Sequence, residues 1–523
     1  MKNVKAYPVF ISLIIALGGF LMGFDASVIS GVIKFVTIEF ELTPVQQGFA
    51  VASLTLTSTL AMMAAGPLSD RIGRKRVLII ASNLFLVSAI YSALAPNYIN
   101  LLIARMIGGL GVGSALIVPP MYIAEIAPPK LRGRLVSFNQ LNIVIGLSVA
   151  FFTNYLILQW SDTNTALSES LKLAENNWRW MLSLESIPAI AYFLLLFFVP
   201  ESPRWLVMKG KNQQAVKVLS KFEKPARAKE VLNDINEAIN TDSVSAKPSL
   251  KDLFKPALKY VLTIGVVISI LQQITGINAV FFYAPMIFEQ TGIGTDASFA
   301  NAVVIGLTNL AFTVVAIAFV DRLGRKPLLT YGLIGIALAM FILTASFRSA
   351  TYSMDNQSIK ELEQHEQFTE FSTIQLLEGK TYTRDVDFKN ALYGVADMQV
   401  VKKYESDILK SSININPWLV LAGIILFVAS FAVSLGPVMW ILFSELFPDR
   451  LRGLAISFVG VINSAVSFSV QQLFPWELST IGSAGTYFIF GLFAVAGLIF
   501  VLFKVPETKG KSLEEIESSL VSN

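Results

Sequence analysis

The 523-residue chain has no cysteine and one histidine. The first absence excludes disulfides, thiolate metal sites and cysteine nucleophiles. His365 lies in a polar stretch and reads as solvated, so neither a metal-ligand cluster nor a nucleophile triad is expected. Charge is scarce as well: only 15% of residues are charged, 54% are hydrophobic, and the mean hydropathy is +0.61. That balance is too apolar for a soluble globular protein and points to a membrane protein. The net charge of +4 carries no nucleic-acid signal, because Lys and Arg fall in short clusters between long apolar runs. Gly109, Gly111 and Gly113 lie inside one of those runs, not after a soluble strand. Close helix packing is therefore expected of them, and no phosphate loop or Walker lysine is present. An enzyme, a metal and a resident cofactor are all unexpected.

Segments of about 20 apolar residues, the length that crosses a bilayer, fall near 8–32, 47–69, 77–95, 98–124, 136–159, 179–199, 258–290, 298–320, 328–346, 416–444, 454–476 and 484–505. Twelve spans make an all-α membrane protein. The first run is too long for a signal-peptide core and reads as an uncleaved span. Connections after the second, fourth, eighth and tenth spans read DRIGRKR, PPKLRGR, DRLGRKP and PDRLRG, whereas APNYIN and TGIGTDA on alternate connections carry no Lys or Arg. Positive charge on every second connection places both termini in the cytoplasm. The expected location is a plasma membrane or a cell inner membrane.

DRIGRK at Asp70 returns as DRLGRK at Asp321, and the pair Glu125 and Arg132 returns as Glu445 and Arg452. The second pair is displaced further than the first, so the second half carries extra chain between its second and fourth spans. Two six-helix bundles are expected, at 1–199 and 258–505. They are joined by a cytoplasmic linker of amphipathic helices at 200–257 and followed by a cytoplasmic tail at 506–523. The extra chain falls at 347–415, outside the cytoplasm. Two readings of it stay open: a partly helical cap without function, and a domain that recruits a partner or substrate.

Two features are expensive in lipid. The stretch Leu271–Pro285, LQQITGINAVFFYAP, holds Gln272, Gln273 and Asn278 in an otherwise apolar span, and buried amides need partners. At about 100° per residue the three cannot share one face of a straight helix. Thr275-Gly276 is where the helix is expected to break and re-aim Asn278. Asp25 and Arg105 lie deep in the first and fourth spans, and each charge is costly unless paired. A facing pair is expected, serving either as a static clasp or in proton coupling.

GFDASVISG, DRIGRKR, PESPRWL, QQITGINAVFFYAP, DRLGRK, GPVMWILFSELFP and PETKG, in this order on these spans, resemble the sugar porter family of the major facilitator superfamily. The resemblance covers nearly the whole chain except the insert and the end of the tail. It implies a carrier that exposes a central monosaccharide site alternately to either side, driven by a proton gradient and functional as a monomer in the lipid bilayer. The family's proton symporters match Asp25, whereas its facilitative animal carriers commonly have Asn there. The resemblance thus favours symport through Asp25 and Arg105 over a uniporter. It also leaves a transporter-like sensor as an alternative, which the short tail disfavours.

The same resemblance assigns sugar binding to Gln140, Gln272, Gln273, Asn278, Asn309, Phe431, Gly436, Trp440 and Asn463. Amides offer donor and acceptor to hydroxyls, and an aromatic face packs on a pyranose. Met22, Phe282 and Ser464 depart from the family's usual aromatics or tyrosine. Leu147 and Phe281 resemble hexose carriers more than the xylose symporter, so a hexose is expected. A cytoplasmic gate is implied at Asp70, Arg71, Arg74, Lys75, Glu125, Arg132, Glu201, Arg204, Asp321, Arg322, Arg325, Lys326, Glu445, Arg452 and Glu507.

Overall fold

A computed structural model describes residues 6–127, 131–163, 165–222, 225–244, 249–363, 371–510 and 515. Among them are twelve helices long and apolar enough to cross a membrane: Tyr7–Glu39, Pro44–Ile72, Arg74–Ala93, Tyr98–Ile126, Gly133–Ser161, Leu173–Leu196, Pro256–Phe282, Thr295–Val320, Arg325–Arg348, Pro417–Leu446, Leu451–Thr480 and Ser483–Lys504. The expected count stands, with most spans longer than hydropathy alone indicates. Their outer faces carry exposed apolar side chains such as Leu194 (54%) and Phe503 (79%), as a lipid-facing surface requires. The chain is an integral membrane protein.

The chain folds as two compact units. The first comprises Met1–Ser27, Ser53–Ala150 and Arg179–Leu250. Its core packs Ile11, Ile15, Leu78, Phe85, Tyr122 and Tyr192. The fourth span is its axis of close approach. A Cβ on Gly109 or Gly113 would run into the second span at Leu54 O or Ser58 O, and one on Gly111 would come 3.3 Å from Ala81 O in the third. These glycines serve helix packing, as expected from their apolar setting. The linker continues this unit with helices Pro203–Met208, Asn212–Phe222 and Pro225–Val244. Trp205, Leu206, Val207 and Ala215 form a small apolar core beneath them.

The second unit comprises Val28–Ala52, Phe151–Trp178 and Lys251–Asn523. Residues 28–52 join it because their side chains pack on later spans: Phe35 lies against Phe299 (6.4 Å between ring centroids) and Phe49 against Phe468 (6.3 Å). A Cβ on Gly48 would collide with Gln472 O. Membership thus follows contact, not the sequence boundaries at 199 and 258.

Within this unit the described residues of the insert form a subdomain with a sheet and helices of its own. Strands β1 (Thr351–Ser353), β2 (Thr381–Tyr382) and β3 (Ile413–Asn414) form an antiparallel sheet in the order β2-β1-β3. Tyr352 pairs with Tyr382 on one side and Ile413 on the other. The helices Asn356–Glu363, Asp385–Val395, Met398–Lys403 and Glu405–Ser412 cover a core that includes Tyr352, Phe388, Leu392 and Ile408. The sheet is the one strand element added to an otherwise helical fold among the described residues. His365 and residues 511–514 and 516–523 of the tail lie outside them.

Candidate functional site

In the first unit, Arg105 Nη1 lies 2.6 Å from Asp25 Oδ1 and also donates to Asp25 O at 3.0 Å. Both residues are 1% exposed. The expected facing pair therefore forms, and Gly108 permits it, because a Cβ there would sit 2.6 Å from Asp25 Oδ2. Asp25 Oδ2, Arg105 Nε and Arg105 Nη2 find no protein partner among the described residues. A third charged residue, not singled out in the sequence, completes the group. Glu185 in the sixth span is also 1% exposed, with Oε1 unpartnered, and lies within electrostatic reach of both Asp25 and Arg105. Its signal is a lone carboxylate in an apolar run, the same signal that marks Asp25.

In the second unit the seventh span breaks where expected. The helix Lys259–Ile274 ends at Thr275, Gly276 takes a left-handed conformation (φ 93°), and a new helix runs Ile277–Phe282. Gly276 is required twice over: by that φ, and because a Cβ would lie 2.5 Å from the Phe490 ring. The tenth span breaks too, at Ser434 between Pro417–Val433 and Leu435–Leu446, just before Gly436-Pro437.

The two breaks and the eleventh span enclose an amide chain. Gln272 Nε2 donates to Leu435 O (3.3 Å) and Asn463 Nδ2 to Ser269 O (2.9 Å). Backbone carbonyls only accept, so these two contacts fix the direction of everything that follows. Gln272 Oε1 accepts from Asn463 Nδ2 (2.7 Å) and from Gln273 Nε2 (3.2 Å). Gln273 Nε2 also reaches Asn463 Oδ1 (3.1 Å), which leaves Gln273 Oε1 to accept from Asn278 Nδ2 (2.8 Å). Asn278 Nδ2 donates again to Ser467 Oγ (2.6 Å). The chain ends with both Asn278 amide hydrogens used and its carbonyl without a partner among the described residues.

Of the expected binding residues, Gln272, Gln273, Asn278 and Asn463 come together here. Asn309 and Phe431 are buried in the second unit, and a Cβ on Gly436 would sit 3.3 Å from Phe431 O. Trp440, 40% exposed, stands edge-on to Phe443 (6.0 Å) and outside the amide chain. Gln140 is exposed on the fifth span of the first unit. Phe281, Phe282 and Leu147 are buried, and Met22 and Ser464 are half-buried. Ser467 and Gln471 were not expected; both are buried. Their signal is polar side chains in the eleventh span spaced four apart, following Asn463 at the same interval.

The charged motifs form two matching clusters, one in each unit. Arg74 Nη2 pairs with Glu125 Oε1 (3.0 Å) and Arg74 Nη1 with Asp70 (2.8 Å), while Ser202 Oγ donates to Glu125. Glu201 accepts from the backbone of Lys75 (3.2 Å) and Ser202 (2.9 Å). Burial pushes the Glu201 carboxyl above its ordinary range, against those N–H groups and Arg74, which pull it down.

In the other unit Arg325 pairs with Glu445 (2.8 Å), Thr508 Oγ1 donates to Glu445 (2.6 Å), and Glu507 accepts from the backbone of Arg325 and Lys326 (both 3.1 Å). Lys75 and Lys326 each donate to a carbonyl closing the sixth or twelfth span, Phe197 O and Leu502 O. Gly73 and Gly324 have positive φ (104° and 94°), and each faces the carboxylate of Glu201 or Glu507. The repeat is thus chemical as well as sequential, and Ser202 and Thr508 belong to it.

The sequence does not say which arginine each glutamate takes. Glu445 bonds Arg325, while Arg452 Nε donates to Phe447 O (3.3 Å). Bringing the start of the ninth span against the end of the tenth decides this, which spacing along one segment does not reveal. Arg71, Arg204 and Arg322 are exposed, and the side chains of Arg132 and Asp321 lie outside the described residues.

The Sugar (and other) transporter family profile matches residues 11–360 and 392–520. The chain belongs to the sugar porter family of the major facilitator superfamily. It is a transporter and not an enzyme. It is 33% identical to the arabinose-proton symporter of Bacillus subtilis, over 99% of this chain and 96% of that one. It is 34% identical to a glucose transport protein of Synechocystis (98% and 97%) and 32% to the D-xylose-proton symporter of Escherichia coli (98% and 96%). The E. coli xylose transporter in an inward open conformation superposes with a TM-score of 0.73, at 31% identity over 98% of this chain and all of that one. Pentose-proton symporters stand among these relatives, so the sequence expectation of a hexose is not supported.

Proposed function

We propose that this transporter carries a monosaccharide inward together with a proton by alternating access of two six-helix bundles, 1–199 and 258–505. The observation that carries the coupling is the buried Asp25–Arg105 pair at 2.6 Å. Ionised Asp25 holds Arg105 and resists reorientation of the empty carrier. Protonation removes one charge, releases Arg105 and lets the first span move against the fourth. Glu185 is a second buried carboxyl that interacts electrostatically with the same guanidinium without bonding it. It supports the coupling reading over a static clasp, for which one carboxylate suffices. The sugar is bound by the amide chain, whose free Asn278 carbonyl accepts a hydroxyl, together with Gln140, Asn309, Phe431, Gly436 and Trp440. No cofactor is needed, the monomer is the working unit, and the termini lie in the cytoplasm of a plasma or inner membrane.

The test is a panel of pentoses and hexoses offered to proteoliposomes with and without an imposed pH gradient. Accumulation of one or more sugars above equilibrium, only with the gradient, is expected. Uptake that stops at equal concentrations would make the protein a uniporter; binding without flux would make it a sensor.

The Arg74–Glu125 and Arg325–Glu445 clusters act as the cytoplasmic gate by favouring the state in which that side is shut. Glu125→Gln with Glu445→Gln is expected to raise labelling of a single cysteine placed on the cytoplasmic pathway severalfold. The natural absence of cysteine makes that assay clean. Equal labelling in mutant and parent would remove the gate assignment.

A further inference from the structure

We infer that Ser467, backed by Gln471, is the positioning residue that anchors the Asn278 amide, whose direction Gln273 sets, so that its carbonyl meets the sugar at a fixed point. This rests on the sugar-transport reading. Ser467 Oγ accepts from Asn278 Nδ2 at 2.6 Å and from Gln471 Nε2 at 2.8 Å. Gln471 is held in turn on a helix anchored by Tyr283, whose hydroxyl donates to Gln471 O at 3.0 Å. Ser467, Gln471 and Tyr283 are all buried. Turning the Asn278 amide over would set its oxygen against Gln273 Oε1, which the carbonyls at Ser269 and Leu435 keep as an acceptor. The site therefore presents an acceptor, and it selects a sugar bearing a hydroxyl that donates at that point.

Ser467→Ala leaves the direction set by Gln273 Oε1 but frees the second amide hydrogen, so the carbonyl is held less firmly at that point. The experiment measures KM for the transported sugar and its monodeoxy analogues. Expected are a KM about tenfold higher, a reduced penalty for one deoxy position, a maximal rate within twofold, and recovery of all three in Ser467→Thr. Should Ser467→Ala not fold, Ser467→Cys, close in shape and a weak acceptor, reads the same quantities. A KM and deoxy penalty equal to the parent's overturn the inference; no uptake by the parent overturns the transport reading instead.

The insert carries a second proposal independently. We propose that it is a strap holding the non-cytoplasmic ends of the first and seventh spans together. Residues 361–391, its middle part, lie outside the family match, yet the subdomain has its own core. One set of contacts fixes it to later spans. Lys389, paired with Glu405 inside the insert (2.5 Å), donates to Gln290 just beyond the seventh span (2.7 Å), and Asp385 accepts from Ser483 N and Oγ of the twelfth (both 2.8 Å).

Burial alone opposes both charges of the Lys389–Glu405 pair. Their mutual attraction wins, raising the lysine and lowering the carboxyl. A second set reaches the early chain. Lys402 donates to Leu42 O (3.1 Å); beside it Lys34 of the first span bonds Thr295 (2.6 Å) and pairs with Glu289 (2.6 Å), and Thr295, at the start of the eighth span, donates to Ser406 of the insert (3.2 Å). A 160 Å³ cavity lies among these groups, lined also by Gln47 and Met286.

Outward opening must break the second set and can leave the first intact. Lys402→Met, in a Gln47→Cys background, is expected to speed labelling by a membrane-impermeant maleimide severalfold. Lys402→Ala serves where that variant does not fold. Labelling at the parental rate in the folded variant would show that the insert is not a strap.

Discussion

Asp25→Asn is expected to abolish sugar accumulation driven by a pH gradient while leaving sugar exchange across the same membrane measurable. Asparagine is nearly the same size and keeps an oxygen for Arg105 at the 2.6 Å contact, but it carries no removable proton. Each pH unit is worth about 1.4 kcal/mol. One proton per sugar therefore supports roughly tenfold accumulation per unit, and the variant should fall to a ratio of about one. The magnitude separates the two readings of the pair. A static clasp would lose stability, because a buried charge stripped of its counter-charge typically costs about 3–5 kcal/mol, and would lose exchange together with accumulation. Proteoliposome accumulation and counterflow, measured side by side, check this; undiminished accumulation in the variant would end the coupling proposal.

Gln273→Leu is expected to raise KM roughly a hundredfold. Gln273 is the junction of the amide chain, bonded to Gln272, Asn463 and Asn278. Leucine fills similar space in the span but leaves an Asn278 hydrogen and the Asn463 carbonyl without it. Unsatisfied buried groups cost about 1–3 kcal/mol each, so a loss of about 3 kcal/mol in sugar binding corresponds to roughly a hundredfold. Interhelical hydrogen bonds in membranes average only about 0.6 kcal/mol. If the amides merely joined helices, the variant would lose a little thermal stability and keep its KM. Uptake kinetics and thermal unfolding of the same preparation distinguish these outcomes, and a KM within threefold of the parent's would sink the assignment.

Much of the fold and part of the site are legible in the residues alone. Long apolar runs mark twelve spans, because only helices satisfy their own backbone in lipid. The same reasoning singles out Asp25, Arg105 and the Gln-Gln-Asn cluster, since polar groups stand out against an apolar background. Gly276 marks the break because few other residues accept its φ. Glu185, Ser467 and Gln471 are harder to see. A single Glu, Ser or Gln in an apolar run marks a cost, but its partner is hidden until the helix bearing that partner is laid beside it.

The membrane class, the repeat, the family and the residue types that lipid does not tolerate without a use thus follow from the order of amino acids. The folded chain was needed to show that Glu445 takes Arg325 over Arg452, and that the amides run in one direction from two backbone carbonyls to a free oxygen on Asn278. It was needed equally to show that residues 347–415 contain a core of their own. The physical reason is the same in each case. Burial cost is a property of a side chain and its local run, whereas partnership depends on which helices meet, and that is set by contacts far apart along the chain.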